Sequence, residues 1–560
     1  MTRSVATPAT AVSPGTVLRR QLCALWRREE GSLSIFTLVL FVLMVMMGGL
    51  AVDLMRYEST RTMLQNTLDR ATLASASLSQ TLDPEDLVRD YFDKAGMTSY
   101  LKRVTVTEGL NYRNVEADAE VSSDPYFLHM IGQEDFDALG HSMAEQRITN
   151  VEIALVLDVS GSMSGTKLTN LKTAAKEFVE TVLSSDGEDR ISIAIVPYNA
   201  EVNLGPVLRA KFNATNIHGV ANVDCLEVPS SAYSTLSITR EQPLAMTAYA
   251  DTDSTTSKTN AWVSRTSTSY ATMKTAEPYC RAVAANIVRL PSNDIATLKS
   301  QIGALSAEGN TSIMAGMRWG LTLLDPEERS IYDEYIQAGQ MNSAFDGRPF
   351  DWDDRESMKL VVLMTDGSHV AHPFVPDAFK TGDSPIYKST GDGNYSIQHT
   401  TGRPAAAGAN EYFVPHLGTW VAAPWNSGSG YTRMQWQDVW AAQRQTWIAW
   451  QLYARALGTD ASTTSASNAR TAAYNAAMAN FQQTNASVAT MDNWLQSTCS
   501  LAKNNDVIIY GIAFEAPTAG QTQIKNCASS PAHYFNAQGL QIQSAFRAIA
   551  NNISQLRLTQ

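Results

Sequence analysis

The rhythm of apolar and polar positions changes several times along the chain. From Gly31 to Val52, "GSLSIFTLVLFVLMVMMGGLAV", 22 residues pass without a charge. At about 1.5 Å per helical residue such a run crosses a hydrocarbon core of about 30 Å. No polar face interrupts it, unlike the helix of a soluble protein packed on one side. Leu54, Tyr57, Arg61, Leu64, Leu68, Ala71, Ser75, Leu78 and Leu82 then step by threes and fours. This spacing predicts a helix running on beyond the span with one mostly apolar stripe, suited to the chain's own next module or to a partner helix. Residues 102–121, "KRVTVTEGLNYRNVEADAEV", alternate like two strands about a polar turn. With "EDLVRDYFDKAG" before them and "YFLHMIG" after, they predict a small α+β module ending near Thr149.

Beyond residue 150 the pattern is apolar strand, then amphipathic helix, repeatedly. "VEIALVLDV", "RISIAIVPY", "KLVVLMTDG" and "VIIYGIAF" read as strands. "KLTNLKTAAKEFVETVL", "DIATLKSQIGAL", "IMAGMRWGLTLL", "WLQSTCSLAKNN" and "QSAFRAIANNISQL" read as helices. Apolar strands alternating with helices imply an α/β fold with a mostly parallel sheet covered on both faces. Binding groups in such folds gather at the carboxyl ends of the strands.

Composition and charge refine this picture. A chain of 560 residues has room for two or more domains, and its net charge of -12 argues against a nucleic-acid partner. Arg3, Arg19, Arg20, Arg27 and Arg28 precede the apolar span against only Glu29 and Glu30. The positive-inside rule therefore makes residues 1–30 a cytoplasmic tail, residues 31–52 the membrane helix, and sends the rest across. Residues 2–17, small, polar and proline-bearing, read as disordered. A cleaved secretion signal is the competing reading, with Gly49-x-Ala51 as a small-x-small site. The stretch is too long for that, and no polar segment precedes the site, so an uncleaved anchor is expected. Cys23 falls in the tail, leaving Cys225, Cys280, Cys499 and Cys527 outside. Wide spacing and the lack of CxxC argue against zinc, and an exported location favours disulfides over buried free thiols. Four cysteines allow three pairings. The pairing nearest in sequence, Cys225–Cys280 and Cys499–Cys527, is the one expected.

The strand "ALVLD" breaks into Asp158, Ser160 and Ser162 at alternate positions. A second apolar strand ends at Asp366, and Thr311 lies in a loop between two helices. Together they offer five oxygen ligands with no nitrogen or sulfur, a set that hard cations such as Mg²⁺ select; Mn²⁺ and Ca²⁺ are the alternatives. Two carboxylates neutralise a divalent ion formally, and five ligands leave a sixth octahedral position for an acidic side chain of a protein partner.

Two resemblances follow from these residues. The segment "EEGSLSIFTLVLFVLMVMMGGLAVDLMRYESTRTMLQNTLDRATLASASL" resembles the N-terminal region of TadE/TadG-like pilus-assembly proteins, with Gly before the span, "AVD" after it and a "LQNxxDxAxLA" helix next. Flp prepilins carry a Glu five residues after that Gly, where this chain has Phe36. Asp158-x-Ser160-x-Ser162, Thr311 and Asp366-Gly367 resemble the metal-ion-dependent adhesion site of von Willebrand factor A-type domains. "TCSLAKNNDVIIYGIAF" and "NCASSPAHYFNAQGLQIQSAFRAIANNISQLRLT" are similar to the end of TadG-like proteins. The resemblance implies a doubly wound, Rossmann-like von Willebrand factor A fold over residues 150–560, interrupted by insertions at about 206–293 and 369–492. It also implies residence in a bacterial inner membrane, with residues 53–149 and the larger region periplasmic, and a part in Flp (Tad) pilus assembly or anchoring.

Other features have plainer readings. Trp436, Trp440, Trp447 and Trp450 share a helical face, as core or as a binding surface for glycan or protein. His369-x-x-His372 lacks a third zinc-type ligand and reads as a polar loop. Asp346, Asp351, Asp353 and Asp354 read as a solvated loop. No GxSxG, HExxH or phosphate-binding glycine loop occurs, and nothing assembles a nucleophile with its base. The expectation is a binding protein rather than an enzyme, with no small-molecule substrate. Its rivals are a structural envelope component that docks independently of metal and, more remotely, a metal-dependent hydrolase.

Overall fold

The structure, a computed structural model, describes residues 30–77, 80–108, 112–127, 136–147, 150–184, 189–251, 278–354, 356–371, 373–426, 428–458, 463–484 and 486–554. Cys23, Leu78 and His372 lie outside them. The chain divides into two compact units, residues 1–147 and 148–560.

The first unit is built on one helix, α1 (Glu30–Ser75), of 46 residues. Its stretch from Leu33 is apolar enough to cross a membrane. The span and the helix expected after it are thus one continuous element. Helix α2 (Pro84–Lys94) starts where the Asp83 carboxylate accepts the Glu85 and Asp86 amides, with Pro84 in the first turn. Strands β1 (Leu101–Glu108), β2 (Tyr112–Ser123) and β3 (Phe136–Arg147) form an antiparallel sheet in that order. Leu64, Leu68 and Ala71 of α1 are buried with Val88 and Phe92 of α2 and with Val115, Ala117, Ala119 and Val121 of β2. Leu54, at the other end of the predicted stripe, is exposed. From Leu64 to Ser75 the stripe packs on its own module, whereas the helix stops at Ser75 and Leu82, predicted to continue it, is exposed.

In the second unit, β4 (Asn150–Asp158) leads into α3 (Thr166–Ser184) and β5 (Ile191–Tyr198). Then come β6 (Arg289–Ser292), α4 (Ile295–Ala304), α5 (Ile313–Thr322) and β7 (Ser357–Thr365). An excursion adds β8 (Asp383–Ser389), β9 (Tyr395–Gln398), β10 (Tyr412–Val414), β11 (Thr419–Val421) and β12 (Tyr431–Gln435). Helix α6 (Val488–Asn504), β13 (Ile508–Phe514), α7 (Thr518–Cys527), β14 (Tyr534–Ala537) and α8 (Gln541–Ser554) complete the unit.

The central sheet runs β14-β13-β7-β4-β5-β6. Its first four pairings are parallel and the β5–β6 edge is antiparallel. The strands read as continuous apolar runs because both faces are covered: β5 and all but the first residue of β4 are buried. Helix α3 packs with α8 and α4, and α5 packs with α6. Phe178 and Phe546 meet edge to face at 5.7 Å between the first pair.

The second excursion, around residues 369–492, does not follow this plan. Strands β8 to β12 make a separate antiparallel sheet, ordered β11-β10-β9-β8-β12. With the sheet of the first unit also antiparallel, antiparallel pairings prevail over the described residues as a whole. The fold is mixed α/β with an N-terminal apolar helix, and the parallel arrangement expected from the sequence describes its central sheet alone. Trp436, Trp440, Trp447 and Trp450 are all buried in a core of their own. They do so on separate helical pieces, Trp436–Ala442, Gln445–Ile448 and a π-helical stretch Ala449–Ala454, rather than along one face. Cysteines pair as Cys225–Cys280 and Cys499–Cys527, the second tying α6 to α7.

Candidate functional site

Three loops leave the carboxyl ends of central strands, or approach them, and meet at one edge of the sheet. The first begins at Asp158, the last residue of β4, whose side chain is fully buried. Its Oδ1 accepts the Ser160 amide at 2.8 Å and its Oδ2 accepts the Thr365 hydroxyl at 2.7 Å. The second loop precedes α5. Gly161 N–H donates to the Gly309 carbonyl at 2.8 Å, and Gly309 has φ +86°, a conformation glycine adopts freely. The third follows β7, where the Val370 amide donates to the Thr311 carbonyl at 3.0 Å. A Cβ added at Gly367 would lie 3.1 Å from Thr311 Oγ1, so that hydroxyl stands directly against the turn after Asp366.

The hydroxyls and carboxylates are linked across these loops. Ser160 Oγ and Ser162 Oγ are 3.0 Å apart, and Ser162 Oγ donates to Asp366 Oδ1 at 2.6 Å. All five residues singled out from the sequence therefore lie on these converging loops. Four are directly connected or one bond removed, and Thr311 is placed through Gly367. Ser162 is exposed, whereas Asp158, Ser160, Thr311 and Asp366 are buried. Burial, with the negative charge of Asp366 adding to it, raises the Asp158 carboxyl to about 6.

Two charged partners escaped sequence reasoning. Lys167, in the first turn of α3, places Nζ 2.9 Å from Asp366 Oδ2 and 3.8 Å from Glu515 Oε2. Glu515 follows β13, and strand order brings it beside Asp366. In sequence Lys167 reads as one more polar position of an amphipathic helix, and no spacing rule links it to residues 366 or 515.

The remaining candidates are engaged otherwise. His369 Nε2 accepts the Met314 amide at 2.9 Å, so its Nδ1 carries the proton given to Asp492 Oδ1 at 2.7 Å. Both ring nitrogens are used within the fold, which leaves none for zinc. Asp351 pairs with Arg329 at 2.8 Å, and Asp354 accepts the Glu356 amide at 2.9 Å, as a structural loop would arrange them. In the first unit, ligand atoms of Glu116, Asp118 and His141 lie within 4.8 Å of one another, a group the sequence did not suggest. Hydrogen bonds from His141 and then Arg103 lower the Asp118 carboxyl, so these charges already have protein partners.

With this geometry in place, comparison with known proteins adds one family. Residues 31–78 match the family described as "Putative Flp pilus-assembly TadE/G-like". The match spans α1 and the start of the first unit's core. No curated protein matches the chain. Among solved structures, the von Willebrand factor domain of the type V pili tip protein Mfa5 from Porphyromonas gingivalis is 12% identical, with 73% of this chain and 96% of that one covered and a TM-score of 0.29. The pilus adhesin SpaC from Lactobacillus rhamnosus GG is 10% identical over 81% of this chain, which spans 34% of SpaC, at a TM-score of 0.28. The adhesive tip pilin GBS104 from Group B Streptococcus agalactiae is 13% identical, covering 72% of this chain and 100% of that one, at 0.27. These scores are too low to carry an argument about this chain.

Proposed function

We propose that the chain is a membrane-anchored periplasmic binding protein of Flp (Tad) pilus assembly or anchoring. In this reading the second unit is a doubly wound von Willebrand factor A-type domain that engages a partner's carboxylate through a divalent cation. The observation that carries the reading is the meeting of Asp158 and Asp366 among hydroxyls at the carboxyl ends of adjacent strands. The donors are all oxygen, as Mg²⁺ or Mn²⁺ prefers, and a cation would offset the burial and, after it, the repulsion from Asp366 that raise the Asp158 carboxyl. Asp158, Ser160, Ser162, Thr311 and Asp366 would hold it. The ion would supply an electrophilic seat for an acidic side chain of a pilus or envelope protein. The family match over residues 31–78 and the apolar helix support the pilus context and the anchor.

A second reading has one observation in its favour. The Lys167–Asp366 ion pair gives the site a cation of its own, as a structural envelope component docking independently of metal would need. Calorimetry on the full chain in detergent separates the two. Mn²⁺ and Mg²⁺ should bind the wild type and Ser164→Ala, and Asp158→Ala should lose at least tenfold in affinity. Equal affinity in the wild type and Asp158→Ala overturns the metal reading. Partner capture that is unchanged in chelator favours the structural one.

A further inference from the structure

We propose that Lys167 is a resident cation that occupies Asp366 in the absence of a divalent ion and moves to Glu515 when one binds. This rests on the metal reading above and assigns residues that reading does not use. Asp158, Asp366 and Glu515 stand at the carboxyl ends of β4, β7 and β13, three neighbours in one sheet. Neighbouring strands lie about 4.8 Å apart, so the three carboxylates form a short row. Lys167 faces the last two of that row, at 2.9 Å from Asp366 and 3.8 Å from Glu515.

The two acceptors are prepared differently. Asp366 has a buried side chain with both oxygens engaged, Oδ1 by Ser162 and Oδ2 by Lys167. Any divalent cation taken up by Asp366 and Asp158 therefore meets an ammonium on the same carboxylate, and like charges so placed repel. Glu515 is partly exposed and fixed on one side only: its Oε1 accepts the Gly539 amide at 2.9 Å, while Oε2 faces Lys167. The backbone there is held by the Glu515 amide on the Ala537 carbonyl at 2.9 Å. A lysine stem has four rotatable methylenes, so its ammonium can pass from one acceptor to the other while α3 stays in place. Lys167 thus keeps two buried carboxylates from facing each other uncompensated, and it makes the ion compete for entry. The apparent affinity is lowered by the fraction of molecules in which Lys167 holds Asp366.

A Mn²⁺ titration of the full chain in detergent, followed by electron paramagnetic resonance, tests this without any partner. Lys167→Met should tighten Mn²⁺ binding at least tenfold. Glu515→Gln, which removes the alternative acceptor's charge, should weaken it severalfold in the wild type and leave it unchanged in a Lys167→Met background. Circular dichroism melts check that each variant is folded. Binding that is unchanged or weaker in Lys167→Met overturns the inference while leaving the metal reading intact, as does an equal effect of Glu515→Gln in both backgrounds. Absence of Mn²⁺ binding in wild type, Lys167→Met and Glu515→Gln alike overturns the metal reading, and this inference with it.

Discussion

Asp158 is a fully buried carboxyl, raised to about 6 by burial and by Asp366. For an acid whose folded value is raised, the neutral form is the one the fold tolerates. The penalty is absent below the ordinary value near 3.8, grows as pH rises, and is complete above about 6. In chelator, the unfolding free energy should therefore fall by about 2 kcal/mol from pH 4 to pH 7 through this residue alone. Asp158→Asn should remove that slope. Urea unfolding of the two proteins across this range checks it, and parallel curves would refute it. Asp158 and Asp366 were legible in the sequence because one ends and the other directly follows a long apolar strand, Ser160 and Ser162 because they alternate after the first, and Thr311 only as a loop residue between two helices. Lys167 and Glu515 were not, since their meeting depends on β13 lying beside β7, which only strand order reveals.

At the level of elements, two of the central strands, β4 and β7, each carry a buried charge within an apolar run. Glu152 in β4 and Lys359 in β7 are register partners, and their side chains meet at 2.5 Å, both almost fully buried. Lys359 Nζ also donates to the Leu324 carbonyl at 2.8 Å, and Glu152 accepts the Phe350 amide at 3.2 Å. A slip of one residue between β4 and β7 would put the two side chains on opposite faces of the sheet and leave each charge unpaired, so the pair fixes register. Lys359→Met should destabilise the second unit by about 3–5 kcal/mol, because it strands a buried carboxylate. Glu152→Met in the same chain should recover most of the loss. Denaturant unfolding of the single and double variants measures this, and a double variant as unstable as the single would refute it. Helices α3, α4, α5, α6 and α8 were legible from their apolar spacing and the four long central strands from their continuous apolar runs, whereas the polar α7 was not read. The sheet β8–β12 was not: its strands are three to seven residues long, and "YFV" or "TWV" is too short for a period to show.

For the whole molecule, the arginines before the apolar run predict a direction. A reporter active only in the periplasm should work when fused after Gln560, and one active only in the cytoplasm should not; the reverse outcome would refute the direction. Two disulfides in the second unit agree with an oxidising side of the membrane. The continuity of α1 has a consequence for the order of events in synthesis. Leu64, Leu68 and Ala71 close the core of the first unit, yet the helix that carries them is complete before β1, β2 and β3 have been translated. At roughly 5–20 residues per second, the face they form waits several seconds for its cover. The first unit therefore closes only after β3 has been translated, since β2 supplies most of the apolar cover for this face and β3 pairs with β2.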